Sequence, residues 1–324
     1  MSRQAAAGVE LAHHPSPITH PTAGPIGPVK PRTTMPGEHE PTGAASALQR
    51  YLESLPRQPL ADRQLWRDAR GQVQGQFFNC SLTSAFEPLV TLADRQVVAH
   101  EGAIHTYAED GVGLAAWKLF AMAADDHTLV SLDRLSRLLH AINYFAADGG
   151  HKLVLNVHNR LLAAVADDHG AAFRRALQSL GLPLERFVIQ VPASANDDLG
   201  LLLHVVGNYR RNGFAVSLQA SDPAEAGALM AHALPDWLKL DMRRTWTDRQ
   251  LSGLRASAAS AGVTLIGRRL QDAESIERLQ AAGIGLGQGA FAGGLVNAAA
   301  LRAPDRSAAA SPAATLHALN EEPV

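Results

Sequence analysis

Trp237-Leu-Lys-Leu-Asp241 and Val263-Thr-Leu-Ile-Gly-Arg-Arg269, separated by the stretch Gln250–Ala261 and Gly262, decide the fold. Two apolar runs of strand length flank a segment with helical spacing, and a glycine stands just past its last turn. That position needs a left-handed backbone, which glycine adopts without a Cβ clash. The runs are continuous rather than alternating, so each strand is covered on both faces, as in a parallel sheet.

The same unit recurs outward from this stretch. Further apolar runs are Lys152–Val157, Phe187–Val191, Phe214–Leu218 and a Gly-rich segment near Gly285–Phe291. Helical patterns lie at Phe173–Leu180, Leu199–Tyr209, Ala224–His232 and Ser275–Ala282, and Gly181, Gly213 and Gly283 close several of them. Units of about 25 residues suit right-handed strand–helix–strand crossovers. The two earliest runs, Phe86–Leu92 and Val97–Ile104, are joined by the tight turn Ala93-Asp-Arg95 and predict an antiparallel hairpin. Eight strands in about 220 residues predict an α/β, TIM-barrel-like (β/α)8 fold with its first strand antiparallel. An open doubly wound sheet is the alternative, but no G-x-G-x-x-G follows a strand and no phosphate-binding P-loop is present.

The flanks read differently. Residues 1–43 hold eight of the 18 prolines and are expected to be a disordered extension. Irregular spacing argues against a metal tract at His13, His14, His20 and His39. Residues 44–81 read as a helical lead-in that begins with the amphipathic stretch Ala44–Leu55. The barrel is expected over 82–301, followed by a flexible tail over 302–324 with a short helix at Ala313–Leu319. A net charge of −2 and 5% aromatics leave neither a basic field nor a stacking surface for nucleic acid. Cys80 is the single cysteine, which excludes a disulfide framework and reads as a buried bystander. No apolar run is long enough for a membrane span and no leader pattern is visible, so a cytoplasmic location is expected.

Barrel chemistry sits at the C-terminal strand ends. In order, these ends carry Glu101, Asn156, Gln190, Gln219, Lys239 with Asp241, Arg268 with Arg269, and Gln288. The series resembles the EAL domain, the bacterial cyclic di-GMP phosphodiesterase barrel, over about Leu82 to Val296. Ala85-Phe-Glu-Pro-Leu-Val-Thr-Leu92 is similar to its opening strand, and His100-Glu-Gly-Ala-Ile-His105 stands in place of E-A-L-x-R. Leu155-Asn-Val-His-Asn159 resembles the strand with the metal-binding Asn. Leu238-Lys-Leu-Asp241 resembles L-K-I-D, and Gly287-Gln-Gly289 with Phe291 resembles the closing Q-G-x-x-F.

The resemblance implies a metal site at these strand ends, and the departures fall on it. Glu101, Asn156, Lys239 and Asp241 are kept. The family's second Glu is Gln190, its Asp-Asp pair is Gln219-Ala220, and its seventh-strand Glu is Arg268. A neutral carbonyl cannot offset a dication, and a nearby guanidinium repels one. Magnesium or manganese is therefore not expected, and no residue is assigned a catalytic role. Structural readings stand beside this one: Glu101 paired with Arg268, Lys239 a paired interior lysine, Gln190 and Gln219 satisfied polar residues, and Arg269 solvated.

Three functions follow from the resemblance. The first is a catalytically inactive, degenerate EAL-like regulator that contacts a regulatory protein, in signalling or in repression of motility or virulence genes. The second is a metal-independent cyclic di-GMP receptor using Lys239, Arg268, Gln288 and His105. Ala103 and His105 stand where the family's signature Leu and Arg would be, which argues against that ligand. The third is a weakly active cyclic di-GMP phosphodiesterase. Family members often dimerise through the helix beyond the Asp-Asp loop. A homodimer is thus a candidate assembly, although Gln219–Glu225 lacks the family's Phe-Gly-x-Gly.

Overall fold

The structure is a computed structural model that describes residues 46–57, 64–108, 116–147, 150–164, 168 and 170–302. The extension 1–43 and the helix expected at 313–319 lie outside these residues. The chain enters through α1 (Ala47–Ser54), capped by the Ser46 hydroxyl. It then forms a short antiparallel pair, β1 (Leu65–Arg67) and β2 (Val73–Phe77), and two long strands, β3 (Cys80–Thr91) and β4 (Val97–Ala108). After α2 (Ala116–Met122) and α3 (Asp126–Ala146), strands and helices alternate. They are β5 (Lys152–Asn156), α4 (Asn159–Ala164), α5 (Ala171–Ser179), β6 (Phe187–Gln190), α6 (Leu199–Arg211) and β7 (Ala215–Ala220). Then come α7 (Pro223–His232), β8 (Trp237–Asp241), α8 (Asp248–Ala261), β9 (Thr264–Arg268), α9 (Ala273–Ala281), β10 (Leu286–Gln288) and β11 (Val296–Asn297).

Strands β4 to β10 are successive parallel neighbours, and β3 joins β4 and β10 antiparallel on its two sides. The sheet closes as an eight-stranded barrel with an antiparallel first strand, as the sequence predicts. Each expected apolar run lies on a barrel strand. Gly181, Gly213, Gly262 and Gly283 all take positive φ past the helix ends. Asp125, Asp198, Asp222, Thr247 and Asp272 cap the N-termini of α3, α6, α7, α8 and α9 by accepting a backbone N–H three residues on.

One expectation changes. Among its described residues, the 44–81 segment is helical only at α1. Its second half is the β1–β2 pair, whose β2 extends the sheet from β3. Gln74 and Gln76 kept this strand from reading as an apolar run. The longest helix, α3, escaped the periodicity reading because it buries polar residues beside apolar ones. Asp133 and Arg137 form an ion pair at 2.5 Å, with both side chains almost fully buried. His140 Nδ1 lies 2.9 Å from the Ser84 hydroxyl. Asn143 donates to the Val73 carbonyl at 2.9 Å and accepts from the Val73 N–H at 2.8 Å. That two-point clasp fixes β2 against α3. Burial alone pushes the His140 imidazole down to about 3, so it sits there neutral. Cys80 is buried, as expected.

Inside the barrel, side chains stack in layers, because alternate residues of a strand face one side. The apolar layer contains Leu89, Ala99, Val154, Val188 and Ile266. Two residues further toward the mouth, the same strands carry Glu87, Glu101, Asn156, Gln190 and Arg268. Ser217, Lys239 and Gln288 join this second layer from β7, β8 and β10. Among the described residues no helix is long and apolar enough to cross a membrane.

Candidate functional site

The polar layer is a connected network centred on Glu101. Lys239 Nζ donates to Glu101 Oε2 at 2.5 Å and to Gln288 Oε1 at 2.9 Å. Asn156 Nδ2 donates to Glu101 Oε1 at 2.7 Å. Gln288 Nε2 donates to Glu101 Oε2 at 2.7 Å and to Glu87 Oε2 at 2.9 Å. The Glu101 partner is thus Lys239 rather than Arg268. Lys239 starts level with Ile266 of the apolar layer, and its side chain, only 2% exposed, ends on the Glu101 carboxylate.

Glu87 is the site residue that sequence reasoning missed. It lies directly opposite Glu101 across the antiparallel β3–β4 pair. Two carboxylates facing each other in a half-buried pocket cannot both ionise easily. Burial pushes the Glu87 carboxyl up and the Glu101 charge pushes it further, to about 7. Burial would also raise Glu101. There the Lys239 charge and the hydrogen bonds from Lys239, Asn156 and Gln288 outweigh it and hold the carboxyl at about 2. The signal for Glu87 was present but masked. Counting back from the turn pairs Val90 with Val97, which would set Glu87 against His100. A bulge between Leu89 and Val90 shifts the register by one and brings Glu101 opposite instead.

The other strand ends form separate groups. Gln190 is buried and satisfied. Its amide donates to the carbonyls of Val191 and Ser217, and its carbonyl accepts from the Ser217 hydroxyl at 2.8 Å. Gln219 is half-buried, and its backbone carbonyl accepts from Asn196. Asp241 is held by two arginines. Arg269 donates to Oδ2 at 2.9 Å, and Arg243 reaches both oxygens and adds its backbone N–H. Arg269 is therefore an ion-pair partner and not a solvated side chain. Its left-handed backbone, φ 60°, turns the chain so that consecutive arginines diverge. Arg268 is half-buried and its side chain makes no hydrogen bond or ion pair among the described residues, although its charge is felt at Glu87.

His105 lies on the same face of β4 as Glu101, four residues on. Burial lowers its imidazole, which keeps it neutral near pH 7. Gly289 directly follows β10. A Cβ there would come within 2.4 Å of the Leu270 backbone nitrogen, so only glycine allows the strand to pass. The arrangement thus holds acids already matched by cations, a carboxyl poised to titrate near neutrality, and the Arg268 guanidinium without a partner among the described residues.

The EAL domain profile matches residues 70–294. No curated protein matches the chain. Among solved structures, BlrP1 from Klebsiella pneumoniae, a manganese and cyclic di-GMP complex, aligns at 19% identity with TM-score 0.54. The alignment covers 72% of this chain and 56% of that one. The FimX EAL domain from Xanthomonas citri, in complex with cyclic di-GMP, aligns at 18% identity and TM-score 0.53 over 67% of this chain and 88% of that one. YkuI from Bacillus subtilis, with an EAL domain and in complex with substrate cyclic di-GMP and calcium, gives 19% identity and TM-score 0.57 over 67% and 55%. The chain therefore spans just over half the length of BlrP1 and YkuI, and at these identities the likeness is one of fold.

Proposed function

Because the chain belongs to the EAL domain family, with its profile covering residues 70–294, we propose that it is a catalytically silent EAL barrel that acts as a regulatory protein through contacts with a protein partner. The observation that carries this reading is that the carboxylates of Glu101 and Asp241 are already engaged by protein donors. An ionised carboxylate offers about four lone-pair sites. Glu101 accepts from Asn156, Lys239 and Gln288. Asp241 accepts four N–H donors from Arg243 and Arg269. A divalent cation needs such oxygens free and a negative surround. The layer instead sets Lys239, Arg243, Arg268 and Arg269 against Glu87, Glu101 and Asp241. Among the described residues no three His, Cys, Asp or Glu side chains gather as a metal-ligand set. The residues present do not fit the divalent cations that the family resemblance implies.

One observation favours a second reading, metal-independent binding of cyclic di-GMP. Arg268 is a half-buried guanidinium at the barrel mouth whose side chain has no partner among the described residues. Arginine offers a planar fork that matches a phosphate. FimX and YkuI are bound to cyclic di-GMP in their structures. Against it stand Ala103 and the neutral His105.

Calorimetric titration with cyclic di-GMP, run beside a hydrolysis assay with magnesium or manganese, tests both readings. Neither heat nor product at ligand concentrations on the order of 100 µM supports the partner-contact reading. Binding at about micromolar or tighter that is lost in Arg268→Ala supports the receptor. Metal-dependent hydrolysis abolished by Glu101→Ala would overturn both.

A further inference from the structure

We propose that the exposed face of α6 is a self-complementary interface that pairs two copies of this chain antiparallel about a two-fold axis near Leu203. The helix buries Leu202, Val205, Val206 and Tyr209 against the barrel. On the flank of that buried stripe Leu199 is 44% and Leu203 42% exposed, one turn apart. Leu234, 49% exposed, is tied to the far end of the helix because Arg210 donates to its carbonyl. Large aliphatic side chains this open on one helix face lose stability in water unless something covers them.

Charge on the same face identifies the cover. Asp198 caps the N-terminal end through Oδ1 and is exposed, and its carboxylate lies over Gly200. Arg211 is exposed at the C-terminal end, and its guanidinium folds back over Gly207. Acid and base thus sit at opposite ends of one apolar strip, on the same side. At about 1.5 Å per residue, the carboxylate over Gly200 and the guanidinium over Gly207 are roughly 10 Å apart along the axis. A second α6 laid antiparallel, centred between residues 203 and 204, puts position 200 of one copy against position 207 of the other. Asp198 of each copy then meets Arg211 of its mate, and the two Leu203 side chains meet at the axis. Leu199 falls opposite residue 208, at the end where Leu234 is tied. Every contact occurs twice, as a two-fold interface requires. A parallel arrangement would instead set acid against acid and base against base. This helix is not α7, which follows the Gln219–Glu225 loop, so the pairing is distinct from the family mode that the loop sequence argued against.

A single helix pair buries less than the roughly 1,200 Å² common in stable complexes, so the equilibrium depends on concentration. Sedimentation velocity on the full chain, over about 1 to 100 µM, should show a monomer–dimer exchange. Leu203→Lys should weaken it at least tenfold with an unchanged thermal melt, since the side chain already faces water. Arg211→Glu should weaken it, and mixing Arg211→Glu with Asp198→Lys protein should give more mixed dimer than either variant gives alone. Leu203→Cys should form a disulfide-linked dimer under a mild oxidant, because the native Cys80 is buried. Met122→Cys, equally exposed but on α2, should not. A chain that stays monomeric throughout, a dimer indifferent to Leu203→Lys, or cross-linking at residue 122 in place of 203 overturns the proposal.

Discussion

The barrel mouth and the underside of α3 are both buried and polar, yet they are built to opposite rules. Beneath α3, Asp133 meets Arg137, Asn143 clasps Val73, and His140 is held neutral beside Ser84. Asn143 and His140 tie the helix to the sheet, while Asp133 and Arg137 pair within the helix and Asp133 also accepts from the His158 N–H. At the mouth, one lysine and one glutamine serve two carboxylates, and one arginine serves none. A network with leftover charge is costly for a fold to keep as mere scaffolding, because an unpaired polar group in low dielectric is destabilising. The difference separates polar burial that holds the barrel together from polar burial inherited with a site.

The largest effect should come from the first region. Arg137→Met leaves Asp133 buried without its cation and removes the guanidinium that stacks on Phe173. It should lower unfolding free energy by about 3–5 kcal/mol in a denaturant titration. A loss under about 1 kcal/mol would show that this pair is not the structural clamp described here.

The second effect separates the two carboxyls by pH. Glu101 sits at about 2 in the folded chain, below the ordinary 4.5, so its contribution is present above pH 4.5 and is lost as pH falls toward 2. Glu87 sits at about 7, above the ordinary 4.5, so it runs the other way. Its contribution is present below pH 4.5 and is lost as pH rises through 7. Glu87→Gln should therefore make the protein more stable than the parent at pH 8 and leave less difference at pH 4. Equal melting differences at both values would place the near-neutral titration elsewhere.

The smallest effect sharpens the contrast from the other side. Arg268→Ala removes a charge that has no partner among the described residues and should change stability by less than about 0.5 kcal/mol in the same titration. A loss several times larger would mean that the guanidinium holds the mouth together and is not a free binding group.

Much of this was readable in the chain. The barrel followed from apolar runs spaced by helices and closed by Gly181, Gly213, Gly262 and Gly283, because both signals are local. The strand-end residues followed from where each run stopped. What the sequence hid was non-local. Lys239 and Glu101 are 138 positions apart, and only ring closure brings them together. The claim of Arg243 and Arg269 on Asp241 needs a left-handed turn at Arg269 that no residue type announces. Glu87 was concealed by a single bulge. The polar residues of α3 diluted the helical pattern that would have revealed it.

The three-residue strand β10 closes the ring by bonding to β9 on one side and to β3, some 200 residues earlier, on the other. On the ribosome, β2 can pair with the start of β3 at once, but the Leu89–Thr91 end of β3 emerges long before its second neighbour exists. Throughout synthesis that end of the β3–β4 hairpin keeps an open flank, a template for stray strands. Any truncation that stops short of Leu286 would make that vulnerability permanent and release a sheet in place of a barrel.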